Sequence, residues 1–95
     1  MAQVAQAVSQ DIEKLLDLLT WQWERLPEVE AEIDTWDLME QLNFIEEWPL
    51  EEDRLLRLKR YIGEGLLTSE QLTRYNALVQ MIAQNRPIIR RLQNS

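Results

Sequence analysis

Ile12, Leu16, Leu19, Trp23 and Leu26 follow one another at steps of 4, 3, 4 and 3 residues. An α-helix turns about 100° per residue, so this spacing stacks five large apolar side chains into one seam. A strand cannot use such a pattern, because its faces alternate every second residue. Val8 and Leu15 widen the seam into a stripe that faces a core. Elsewhere no segment of strand length alternates apolar with polar residues, and Leu, Glu, Gln, Arg and Ala outnumber Val and Ile. The chain is therefore read as all-α.

The remaining signals divide the chain into four main helices and a short C-terminal helix or turn. Ser9 is a candidate N-cap for helix one, which runs to Leu26, and Pro27 either ends it or opens the next. In helix two, over 27–47, Val29, Ile33, Trp36 and Phe44 cluster on one side, with Ala31, Leu38, Leu42 and Ile45 nearly opposite. Two readings fit: one central helix touching neighbours on both faces, or a break near Thr35–Asp37 with Asp37 and Glu40 capping a second piece. With no Gly or Pro between, the unbroken helix is preferred. Trp48-Pro49 marks a boundary, since the residue before proline is pushed out of helical geometry. Helix three then runs from Pro49 to Ile62, with Gly63 and Gly65 as a left-handed stop.

Thr68 and Gln71 stand at the two positions of a reciprocal capping box, and Leu67 can staple onto Leu72. Leu72, Tyr75, Leu78, Val79 and Ile82 form the expected buried stripe of helix four, and Ile88 to Leu92 make the final turn after Pro87. The 95 residues suit one helical domain over 1–95, with 1–8 as a frayed N-terminus.

Charge is sorted along the chain. Residues 1–53 hold fifteen of the seventeen acids and only Lys14 and Arg25 as bases; residues 54–95 hold Glu64 and Glu70 against eight bases. The overall net charge of −7 thus conceals one half at −13 and another at +6. Such asymmetry bears on partners and assembly more than on chemistry. Part of it belongs to a single helix matched to its own dipole, with Glu51, Glu52 and Asp53 at the start of helix three and Arg57, Lys59 and Arg60 at its end.

Cysteine and histidine are both absent. No disulfide, thiolate nucleophile, thiol-ligated metal or imidazole base can therefore be built, and no Gly-rich phosphate loop, dinucleotide fingerprint or calcium loop is present. No cofactor is implied. An enzyme would have to work with carboxylates alone, and they occur in crowds from which no pair stands out. The N-terminus lacks the basic start and apolar run of a signal peptide, and no apolar run is long enough to span a bilayer, so the reading is cytoplasmic.

What remains is interaction. Glu24, Glu28, Glu30, Glu32, Asp34, Asp37 and Glu40 form an acidic stretch that suits a basic protein or the chain's own basic half. Glu28 with Glu32 has the spacing for a carboxylate-held cation, without specificity. Arg86, Arg90 and Arg91 form a basic end that could contact carboxylates or phosphates. Trp23 and Trp36 lie on apolar stripes, and Trp48 sits at a helix junction. Trp21 points about 180° from the seam, among Gln10, Lys14, Asp17, Glu24 and Arg25. A large indole on a polar face marks a contact residue.

The leading expectation is a non-enzymatic interaction module: an adaptor, an assembly subunit or an antitoxin-like neutraliser of a basic protein. Its contacts would be Trp21, Trp48, Glu28, Glu32, Arg86, Arg90 and Arg91. Self-association, with residues 24–40 of one copy facing Arg86–Arg91 of another, also follows from the charge split. The alternatives are a small nucleic-acid-associated regulator using the arginine-rich end and, third, a carboxylate-dependent enzyme.

Overall fold

The computed structural model describes residues 2–94. They form three long helices, α1 (Ala2–Glu32), α2 (Leu38–Gly63) and α3 (Ser69–Asn94), with a 3₁₀ turn, Ile33–Thr35, between the first two. Among the described residues there is no strand, and no helix is long and apolar enough to cross a membrane. The all-α reading holds; the count of four helices plus a short one does not.

Proline accounts for the difference. Pro27, Pro49 and Pro87 all lie inside helices, not at their ends. Proline withholds one N–H and crowds the carbonyl four residues earlier, a penalty of roughly 3 kcal/mol that packing on both sides can offset. The helix ends expected at Leu26 and near Arg86, and the boundary at Trp48-Pro49, are therefore absent. Ser9 caps nothing: α1 runs straight through it, and its hydroxyl accepts a hydrogen bond from Gln71 Nε2 at 3.3 Å.

The break that does occur lies at residues 33–37, within the span that reads as one unbroken helix. Here the chain carries its own alternative to the helical ladder. Asp37 is extended (ψ 163°) and its carboxylate accepts from the Glu40 amide at 2.8 Å, capping α2. Gln41 Nε2 then donates to the carbonyls of Ile33 (2.8 Å) and Trp36 (3.0 Å), lacing the bend from the far side. Polar capping ends this helix without glycine or proline.

The second connection follows its signals closely. Thr68 Oγ1 accepts from the Gln71 amide at 3.1 Å while Gln71 Oε1 accepts from the Thr68 amide at 2.9 Å, a complete capping box. Of the two glycines only Gly65 adopts positive φ (72°); Gly63 is the last residue of α2. Bonds from Gly65 N to Ile62 O (2.9 Å) and from Leu66 N to Tyr61 O (3.1 Å) close the helix in a Schellman motif.

Cross-helix contacts fix the topology. Arg57 and Tyr61 reach Asp11, and Trp48 meets Trp23, so α2 runs antiparallel to α1. Gln71 meets Glu13, Asn85 meets Trp23 and Arg91 meets Glu30, so α3 runs parallel to α1. The result is an up-down-up bundle measuring 49 × 23 × 17 Å. The α1 seam is its spine: Ile12, Leu15, Leu16, Leu19, Trp23, Leu26 and Val29 are all buried, with Val8 packed at the edge. From α2 come Trp48, Leu55 and Leu58, and from α3 Leu78, Ile82, Ile88, Ile89 and Leu92. Trp23 and Trp48 meet edge to face, ring centres 5.0 Å apart, and Phe44 links Trp48 to Trp36.

Two apolar faces expected inside lie outside. Leu72 and Val79 are exposed on α3, so its buried residues are Gln71, Leu78, Ile82, Ile88, Ile89 and Leu92; Leu67 packs on the core while its expected staple partner Leu72 does not. On α2, Leu38 and Leu42 are exposed, because only the Phe44–Trp48 side of the helix finds a neighbour.

Candidate functional site: the acidic face around Trp21

Most arginines of the basic half are engaged within the chain. Arg57 pairs with Asp11, Arg74 bridges Glu13 and Asp17, Arg86 pairs with Glu52, Arg91 with Glu30 and Arg54 with Glu51. Four of these five join different helices, so the charge split along the sequence becomes charge pairing across the bundle. Exposed pairs of this kind contribute roughly 0–1 kcal/mol each, which sets helix register more than stability.

Pairing leaves the α1 surface beyond Trp21 net negative, with Arg25 as its one cation. Trp21 is 54% exposed, and the Arg25 guanidinium lies over its ring, 4.5 Å from the centre. Trp21, Glu24, Arg25 and Glu28 line a depression of about 290 Å³, and the exposed Glu32 continues the same face one turn on. None of Glu24, Glu28 and Glu32 has an ion pair within the described residues.

Arg25 also lines a second cleft of about 280 Å³ between α1 and α2, with Gln22, Phe44, Glu47, Trp48, Leu50, Glu51 and Arg54. Glu51 is 5% exposed; its Oε1 accepts from Arg54 at 2.5 Å, while Oε2 is buried without a partner. Burial pushes its carboxyl above the ordinary value, and the Arg54 charge and hydrogen bond oppose that shift. In the sequence Glu51 reads as one of three first-turn acids matched to the helix dipole. The signal for its burial is its place in the series Trp48, Glu51, Leu55 and Leu58, whose steps of 3, 4 and 3 define the buried face of α2.

The other expected contact residues separate. Trp48 is 2% exposed and packs in the aromatic core, because α2 continues through Pro49 instead of opening a junction there; its Nε1 donates to Glu52 Oε1 at 3.3 Å. Arg86 donates to that same oxygen at 2.9 Å and lies over the Trp23 ring at 5.1 Å. Arg91 donates to Glu30 Oε2 through Nε and Nη2. Arg90 is exposed and carries no ion pair among the described residues. Glu28, Glu32 and Trp21 thus share a surface, whereas Trp48, Arg86, Arg90 and Arg91 lie apart from it.

No protein-family model, no curated protein and no solved structure matches this chain.

Proposed function

We propose that the protein is a non-catalytic interaction module that binds a basic protein through the α1 face carrying Trp21, Glu24, Glu28 and Glu32. One observation carries this reading: five of the seven arginines in residues 54–95 are held by other carboxylates, so Glu24, Glu28 and Glu32, offset only by Arg25 on the Trp21 ring, leave this face net negative beside an exposed indole. Tryptophan is enriched among residues that dominate binding, where truncation costs about 2 kcal/mol or more. Acids around it favour encounter with a cationic surface and make association sensitive to salt. The Arg-rich end is less suited to nucleic acid, since Arg86 and Arg91 already have carboxylate partners.

The test is affinity capture with wild-type protein, Trp21→Ala, and the pair Glu28→Lys with Glu32→Lys, followed by mass spectrometry. A basic protein should be captured by the wild type at low ionic strength and lost from both variants. Identical capture by all three proteins would remove this face as the binding site.

A further inference from the structure

We propose that the outward face at the start of α2, formed by Leu38, Met39 and Leu42, docks a cationic amphipathic helix of a partner protein. The proposal shares with the preceding section the idea of a basic partner, but it places the apolar anchor on another helix.

The bend at 33–37, capped by Asp37 and laced by Gln41, sets α2 down with its Phe44–Trp48 side on the core. The first turn and a half then projects Leu38, Met39 and Leu42 outward, at 70%, 66% and 43% exposure. Positions 38, 39 and 42 are neighbours on one helix surface, so the three side chains form a patch, not a scatter. Apolar residues grouped in this way, in a chain with a well-filled core, mark a contact surface.

Charge selects the occupant. From Leu26 to Asp53 the sequence contains eleven acids and no lysine or arginine. Only Glu30, Glu51 and Glu52 of these meet an arginine. Glu28, Glu32, Asp34, Asp37, Glu40, Glu46, Glu47 and Asp53 are without an ion pair among the described residues, and the patch lies within this stretch. Beside the patch, the Asp37 charge and hydrogen bond raise the carboxyl pKa of the exposed Glu40 above its ordinary value, so two of these acids crowd each other at the patch's edge. A second copy docking through the same patch would set these acids against themselves. Nucleic acid and anionic lipid surfaces are repelled for the same reason. A helix with a leucine-like stripe flanked by lysine or arginine satisfies both the patch and its rim.

The test uses the full chain and a synthetic helix of leucine and lysine patterned with apolar residues at i, i+3 and i+4. One control replaces lysine by glutamine, and another scrambles the order. Calorimetric titration should show binding of the patterned cationic helix alone. Backbone amide shifts should centre on residues 36–43. Leu38→Ala with Leu42→Ala, which keeps good helix formers at exposed sites, should weaken binding by roughly tenfold or more. Trp21→Ala should change it by less than about twofold, as for a distant, independent site. If binding is lost in Trp21→Ala and kept in the α2 pair, the anchor lies on α1; this proposal then fails while the basic-partner reading stands. Equal binding of the scrambled or glutamine peptide, or no binding of the patterned one, also overturns it.

Discussion

Asn85 Nδ2 donates a 2.8 Å hydrogen bond to the carbonyl of Trp23, the group that Pro27 leaves without its helical donor. In an uninterrupted helix the amide of residue 27 would satisfy that oxygen, and proline has no N–H to offer. A side chain from α3 supplies the missing donor, 62 residues away in sequence. This contact gives one reason why α1 continues through a proline that reads as its end.

Removing that donor should therefore be costly in one background and cheap in another. Asn85→Ala leaves a buried carbonyl unsatisfied and should lower stability by about 1–3 kcal/mol. In a Pro27→Ala background the restored amide can bond Trp23 O, so the same substitution should cost distinctly less. Chemical denaturation of the four proteins closes the cycle. A cost for Asn85→Ala that is the same in both backgrounds would show that Pro27 and Asn85 act independently.

The two tryptophans at 21 and 23 should separate by location. Trp21→Ala removes an exposed ring and an arginine stack worth roughly 0.5–1 kcal/mol at such sites, so the melting temperature should fall by only a few degrees. Trp23 is fully buried against Trp48, and Trp23→Ala should cost about 3–5 kcal/mol. Tryptophan emission should follow: acrylamide quenching falls markedly when Trp21 is removed, since it is the most exposed of the four indoles.

Glu51 carries a pH prediction with a definite sign. Its folded-state carboxyl is raised above the ordinary 4.5, mainly by burial. The native state therefore holds a proton that the unfolded state has released, and stability falls as pH rises from the ordinary value through the raised one. Glu51→Gln removes that titration while keeping an acceptor for Arg54. The variant's stability relative to wild type should improve across this window and level off above it. Parallel denaturation series at several pH values isolate the effect, because the exposed Glu40 contributes equally to both proteins. A constant difference at every pH would contradict the assignment.

Local chemistry is readable in the sequence, and the continuity of the helices is not. The α1 seam, the Thr68–Gln71 box and the Gly65 stop depend on neighbours a few residues away, and all three stand as read. Proline reads as a boundary because its penalty is local, whereas the contacts that offset it, such as Asn85 on Trp23 O, come from another helix. The break at Ile33–Asp37 shows the converse. Its capping signal, Asp37 with Glu40, is visible, but Gln41 reaching back to Ile33 and Trp36 has no sequence signature. Trp21 can be placed on the surface because its angle is fixed by a helix with a clear seam. Trp48 cannot, since its expected position depends on a helix end that does not exist.

Gln71 gives the most specific prediction, because one side chain makes two kinds of contact. It closes the capping box of α3 through Oε1, and its Nε2 donates to Glu13 Oε1 at 3.0 Å and to Ser9 at 3.3 Å, all at 2% exposure. The amide is required because both an acceptor and a donor are used. Gln71→Glu preserves the acceptor facing Thr68 but sets a second carboxylate beside Glu13, which Arg74 only partly offsets at 2.6 Å. The variant should lose about 1–3 kcal/mol at neutral pH and recover as pH falls, since the introduced carboxyl, once protonated, can donate to Glu13 again. By contrast, Thr68→Ala should lose about 1 kcal/mol, the ordinary worth of an N-cap, at any pH. Thermal denaturation at neutral and mildly acidic pH distinguishes the two. If Gln71→Glu matches Thr68→Ala at both pH values, the bond to Glu13 contributes nothing, and α3 is held to α1 by its apolar stripe, its arginines and the Asn85 bond to Trp23 O.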